Sequence, residues 1–160
     1  MAELFYCTEQ TALGKLFLVA ENDILRAVCF EKIPSKFACA IARKTPLLQQ
    51  ASQQIEEYLQ GKRKSFSLPI ALQGTDFQQK VWHELLNIPY GETRSYKQIA
   101  EKIGCPKGYR AVGMANNKNP IAIIVPCHRV IGQNKNLVGY AGGIDIKEKL
   151  LKLEEKYAKS

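Results

Sequence analysis

Residues 125–130 read Val-Pro-Cys-His-Arg-Val, so a cysteine stands directly before a histidine, behind a proline, at the end of an apolar run. A thiolate, not a thiol, is the nucleophile, and a neighbouring base activates it. Cys127 and His128 are therefore a candidate nucleophile and base. Taken alone, the pair suits a buried structural thiol equally well. What adds weight is the rest of the second half, from Tyr96 to Glu154.

The elements that must position this pair can be read in outline. Residues 4–8, 15–21 and 24–31 are rich in β-forming types, with Asn22-Asp23 as a turn between the last two. Residues 46–59 form a helix with Leu47, Leu48, Ala51, Ile55, Tyr58 and Leu59 on one face, ended by Gly61. Phe66, Leu68 and Ile70 alternate as a half-buried strand would. Near Gly74 the texture turns helical. Thr75-x-x-Gln78 is a capping box, followed by Phe77, Val81, Trp82, Leu85 and Leu86, and Pro89-Tyr90-Gly91 breaks that helix. Ser95-x-x-Gln98 is a second capping box, opening a short helix through Ile103; residues 104–108 are a turn, and a third helix covers 109–117. Asp145-x-x-Glu148 opens the last helix, with Ile146, Leu150, Leu151 and Tyr157 facing inward.

Residues 95–117 are thus a helix-turn-helix candidate. Its second helix carries Arg110 beside the small residues Ala111, Gly113 and Ala115. Glycine in a helix costs ~1 kcal/mol relative to alanine, so Gly113 points to a close contact. That contact is either another helix or the sugar-phosphate wall of a groove.

Bulk properties narrow the classes. The 160 residues suit one or two small domains. Net charge is +8 and the pI about 9.3, which favours a polyanionic partner or serves solubility alone. Lys62-Arg63-Lys64 is the densest cluster and reads as a solvated turn. The five cysteines are odd in number and no Cys-x-x-Cys occurs, so a reducing cytosol is expected and a disulfide framework is not. Cys7, Cys29, Cys39 and His83 lack the paired spacing of a metal site, and none is expected. No signal peptide is read, and no apolar run approaches the ~20 residues of a membrane span.

At this point the second half resembles the O6-alkylguanine-DNA alkyltransferases. The matching pieces are Pro89-Tyr90-Gly91-Glu92, Ser95-Tyr96, Arg110-Ala111-Val112-Gly113, Asn119-Pro120, Pro126-Cys127-His128-Arg129-Val130 and Gly139-Tyr140-Ala141-Gly142-Gly143. They cover about residues 75–155 in the family's order and spacing, while the first 70 residues match in layout. The resemblance implies a two-domain α/β (α+β) protein. Residues 1–72 would form a small domain resembling ribonuclease H. Residues 73–160 would form a helical DNA-binding and alkyl-transfer domain with a helix-turn-helix of winged-helix type.

The family's chemistry is direct, single-turnover transfer of an alkyl group from O6-alkylguanine (and O4-alkylthymine) in DNA to a cysteine, here Cys127, without a cofactor. The resemblance assigns His128 as base, through a bridging water, and Glu154 as its orienting carboxylate, with Glu155 as the substitute if the helix register slips. Tyr96 would offer its hydroxyl to guanine N3. The carbonyls of Cys127 and Val130 would accept from the exocyclic amine, the Ala141 amide would donate to O6, and Tyr140 would wall the alkyl pocket. Many relatives carry serine where Ala141 stands; alanine keeps the amide and loses the side-chain contribution. Asn119 would bond backbone across the turn before the cysteine. Ser95, Ala111 and Gly113 would line the DNA surface. Arg110 would fill the stack vacated by a flipped nucleotide, from the minor groove. The partner would be double-stranded DNA with no membrane, the protein a cytoplasmic monomer.

Three rivals remain at this stage. A lesion binder without transfer would lack the nucleophile. A helix-turn-helix regulator would not need Cys-His beside a glycine-rich loop. A cysteine hydrolase would turn over and need an oxyanion hole.

Overall fold

The computed structural model describes residues 3–132, 140 and 142–159. The chain is mixed α/β and divides into two compact units: residues 1–72 with Pro120–Ile124, and Gln73–Asn119 with residues 125–160.

In the first unit β1 (Leu4–Thr11), β2 (Gly14–Glu21) and β3 (Ile24–Phe30) make an antiparallel meander, and the two-residue β4 (Ile41–Ala42) adds parallel to β1, giving the order β3-β2-β1-β4. Asn22 turns the chain between β2 and β3 at φ 52°, a left-handed conformation that asparagine tolerates. Cys7, Leu16 and Leu18 face α1 (Pro46–Leu59), whose buried side is Leu47, Leu48, Ala51, Gln54, Ile55 and Tyr58. Thr45 caps that helix on the Leu48 amide, and Pro46 opens it, where its missing N–H costs nothing. The sheet's other face buries Val19 and Ala27 against Phe37.

The expected strand at 66–70 does not form. Phe66, Leu68 and Ile70 do alternate with exposed neighbours, but only an isolated bridge pairs Ile70 with Leu25. Pro69 has no N–H to give a ladder. Instead the buried Gln54 amide grips Ser67, donating to its carbonyl and hydroxyl oxygens and accepting from its N–H.

The second unit is helical. Capping boxes open α2 (Asp76–Leu85) at Thr75 and α3 (Tyr96–Lys102) at Ser95. The α4 helix (Tyr109–Asn117) follows a turn closed by Gly108. Buried Trp82 on α2 donates its indole N–H to the Ala115 carbonyl at 2.8 Å, fixing α4. A short parallel pair, β5 (Arg94–Ser95) with β6 (Val130–Ile131), ties the start of α3 to the cysteine segment.

The α5 helix (Ile144–Tyr157) differs from expectation in two ways. It begins at Gly143 with no side-chain cap, so Asp145 sits inside the first turn rather than opening it. Its buried face is Lys147, Leu150 and Glu154, while Ile146, Leu151 and Tyr157 flank it half-buried. The reason is that positions 147, 150 and 154 share one helical stripe. Leucine there attracts attention, and two charged residues on the same stripe do not.

Candidate functional site

Two tight turns deliver Cys127. Ile124 N–H reaches the Ala122 carbonyl at 2.8 Å across Ile123, whose φ is 73°. That is a γ-turn of the rarer positive-φ kind, and a β-branched residue held there costs about 1–3 kcal/mol. Cys127 N–H then reaches Val125 O at 2.8 Å across Pro126 (φ −82°, ψ 63°), the common inverse γ-turn. Asn119 Nδ2 donates to the same Val125 carbonyl at 2.8 Å. Residues 127–129 follow as a single 3-10 turn.

Cys127 is 4 % exposed. Burial pushes its thiol up, while hydrogen bonding from Asn119, the Lys147 charge and the Tyr140 hydroxyl oppose this. A resting thiol in this place needs a base to ionise it.

His128 and Glu154 are 0 % and 1 % exposed. His128 Nε2 lies 2.7 Å from Glu154 Oε2. The carboxylate can only accept, so Nε2 carries the proton and Nδ1 is the basic nitrogen. Glu154 Oε1 also accepts the Gly91 N–H at 3.2 Å. Burial raises the Glu154 carboxyl, but His128 and Arg129 outweigh it and hold the group at about 2. Burial lowers His128, as do Arg129 and Lys147, against the pull of Glu154. The pair therefore rests as carboxylate and neutral imidazole.

Gly91 has φ +81°, and a Cβ there would lie 2.7 Å from Ala158 Cβ on the chain after α5. Gly91→Ala is expected to lower stability by about 1–3 kcal/mol, from left-handed strain plus the clash. Chemical denaturation followed by Trp82 fluorescence measures it; an unchanged midpoint would show that α5 yields freely.

Tyr96, the first residue of α3, is half-buried, and its hydroxyl is raised by burial and then by the Cys127 charge, with a hydrogen bond from Asn116 opposing. Asn116, buried on α4, also donates to the Cys127 carbonyl at 3.2 Å. Lys147 Nζ lies 5.7 Å from the Tyr96 ring centre, and burial brings its ammonium down to about 8. Tyr140 is buried against the thiol, which pushes its phenol well above the usual value after burial itself. Val130 is buried in β6. The cysteine turn thus gathers Cys127, His128, Glu154, Asn119, Tyr96, Val130 and Tyr140. Ala141 lies outside the described residues.

Arg110 and Ala111 are elsewhere, on the exposed side of α4 with Tyr109 and Met114. A Cβ on Gly113 would meet the Tyr96 ring at 3.8 Å, an ordinary contact. Ser95 is half-buried, with its hydroxyl accepting from Gln98 N–H.

Asn116, Lys147 and Arg129 escaped the sequence reading as individual contributors. For Lys147 a signal existed: placing Glu154 inward places residue 147 inward too, two turns earlier. For Arg129 none existed, because a residue between a histidine and a valine can point either way. Among the described residues no cluster of three or more His, Cys, Asp or Glu could hold a metal ion, and no helix is long and apolar enough to cross a membrane.

Two family models match the chain. One described as 6-O-methylguanine DNA methyltransferase, ribonuclease-like domain, covers residues 4–72. The other, 6-O-methylguanine DNA methyltransferase, DNA binding domain, covers 76–156. A methylated-DNA–protein-cysteine methyltransferase of Methanosarcina mazei is 61 % identical over 158 residues, 95 % of this chain and 98 % of that one. A constitutive methylated-DNA–protein-cysteine methyltransferase of Bacillus subtilis is 47 % identical over 156 residues, 94 % of each chain. A Mycobacterium tuberculosis protein crystallised in complex with DNA superposes with a TM-score of 0.90 at 44 % identity, covering 96 % of this chain and 94 % of that one. With both units matched and relatives this similar over nearly the whole length, the chain belongs to the 6-O-methylguanine DNA methyltransferase family.

Proposed function

We propose that this protein repairs DNA by direct transfer of an alkyl group from guanine O6 to Cys127, once per molecule. The observation that carries the reading is the buried pair, 2.7 Å apart, of His128 on the turn that presents Cys127 and Glu154 on α5. Residues 1–72 and 73–160 act as its two domains, the second binding DNA.

The step balances simply. Cys127 Sγ passes its proton through a bridging water to His128 Nδ1, and the imidazolium is stabilised by Glu154 on Nε2. The thiolate attacks the alkyl carbon on O6. A carbon–sulfur bond forms, the carbon–oxygen bond breaks, and its electron pair goes to the guanine. Tyr96 donates to N3, so the base leaves without full negative charge. Among the described residues no group is suited to cleave the thioether product, hence one turnover.

A target inside a stacked duplex must be flipped out. Arg110 stands exposed on α4 to fill the gap, and Ala111 and Gly113 keep that face low enough for close approach. Packing within the protein does not require a glycine at 113, because a Cβ there meets only the Tyr96 ring at 3.8 Å. The minor groove suits a repair protein that must accept any flanking sequence. The protein acts as a monomer on double-stranded DNA containing O6-alkylguanine.

Incubation with duplex DNA carrying O6-methylguanine, followed by peptide mass mapping, tests the reading. One methyl group on the Cys127 peptide is expected; repeated turnover or methylation at the exposed Cys105 would overturn it.

Glu154→Gln probes the relay. The amide cannot hold the imidazolium, so the thiolate should form only at higher pH. Transfer at neutral pH is expected to slow by about 10²-fold, with the rise in rate displaced to alkaline pH. An unchanged pH–rate profile would leave Glu154 a purely structural carboxylate.

A further inference from the structure

Arg129 is buried and fully engaged. Its Nε donates to Glu154 Oε1 at 2.8 Å and its Nη2 to Glu154 Oε2 at 3.0 Å. Its Nη1 donates to the Ile88 carbonyl at 2.7 Å, and the guanidinium sits 5.7 Å from the centre of the Tyr90 ring. Glu154 Oε2 is thus shared between a permanent cation and the His128 imidazole. A buried carboxylate alone beside an imidazole favours the imidazolium strongly. An imidazolium cannot take a proton from a thiol.

We propose that Arg129 is a positioning residue for the transfer: its charge neutralises Glu154, so that the carboxylate orients His128 and fixes its tautomer without keeping it protonated. The proposal rests on the assignment of Cys127 and His128 given above. In the resting site the thiol keeps its proton, Nε2–H points at Glu154, and Nδ1 stands ready to accept. The proton then moves from Sγ through the bridging water to Nδ1, and Glu154 shares its charge between two cations only while the thiolate exists. Among the described residues, the charged groups acting on His128 are Glu154 and Lys147 from α5 and Arg129 from its own turn. Tyr90 and Tyr140 face the carboxylate as neutral phenols. Lys147 is unchanged in the variants below, so differences among them report Arg129.

The experiment is an NMR titration of the His128 ring in the unsubstituted protein, Arg129→Met and Arg129→Lys, alongside the pH dependence of single-turnover transfer. The chain has two histidines, so exposed His83 serves as the internal reference. Arg129→Met is expected to raise the His128 pKa by at least about one unit and to move the acidic limb of transfer alkaline by a similar amount. Arg129→Lys, which keeps the charge but not the fork, is expected to leave both near their original positions. An unshifted His128 in folded Arg129→Met overturns the proposal, and so does a shift in Arg129→Lys as large as that in Arg129→Met. If Arg129→Met does not fold, judged by Trp82 fluorescence, the lysine variant decides alone: a retained titration supports the charge role and a displaced one rejects it. The titration needs no substrate. Absence of methyl on Cys127 would therefore sink the functional reading while the histidine result still reports the charge balance.

Discussion

Cys127→Ser and Cys127→Ala are each expected to abolish alkyl transfer completely while binding methylated duplex DNA nearly as well as the unsubstituted protein. The two outcomes separate because they have different physical sources. Affinity for DNA comes from phosphate contacts and is sequence-independent. With 23 lysines and arginines against 15 acidic residues, the chain retains that attraction whatever stands at position 127. The chemistry, in contrast, needs a soft anion. A serine hydroxyl is far more basic as an alkoxide than a thiolate, and a neutral imidazole cannot ionise it for displacement at carbon. The measurement is a mass shift per chain after incubation with excess O6-methylguanine duplex, paired with a binding titration at fixed salt. The unsubstituted chain should saturate at one methyl group. Transfer persisting in Cys127→Ala would move the nucleophile elsewhere, and Cys39 and Cys105 are the exposed thiols that would then be mapped first.

Arg110→Ala is expected to slow repair of duplex DNA by roughly tenfold to a hundredfold, since extrusion costs a few kcal/mol and each 1.36 kcal/mol is a factor of ten. Reaction with free O6-benzylguanine should stay near the unsubstituted rate, because a free base needs no extrusion. Arg110 is exposed on α4 and makes no part of the cysteine turn, so its loss leaves the nucleophile as it was. Tyr96→Phe supplies the control of opposite pattern. In the proposed mechanism its hydroxyl donates to guanine N3 with either substrate, so both reactions should slow together. The informative quantity is the ratio of duplex to free-base rate constants in each variant. Equal losses on the two substrates for Arg110→Ala would assign the arginine to the pocket or the fold, and the intercalating role would have to be given up.

What could be read from the sequence alone was what depends on neighbours in the chain. Thr75 with Gln78 and Ser95 with Gln98 form capping boxes because each exchanges hydrogen bonds with a backbone three residues away. The β2–β3 turn at Asn22 and the α1, α3 and α4 helices follow from similarly local chemistry. The adjacent Cys127 and His128 stand out as nucleophile and base by residue type, and the family resemblance adds Glu154.

Tertiary structure decided what local rules cannot reach. Segment 66–70 has strand-like alternation, yet Pro69 and the Gln54 side chain leave it unpaired apart from one bridge. The Asp145 capping pattern went unused because α5 is capped two residues earlier, at Gly143. Two successive γ-turns at Ile123 and Pro126 aim the cysteine, and no propensity forecasts a β-branched residue at positive φ. Above all, the charge state of the site depends on Arg129 and His128 meeting one carboxylate 25 and 26 positions away. Coulomb energy depends on distance and burial rather than on sequence separation. Only the packing of α5 against the cysteine turn therefore determines that this imidazole shares Glu154 with a permanent cation.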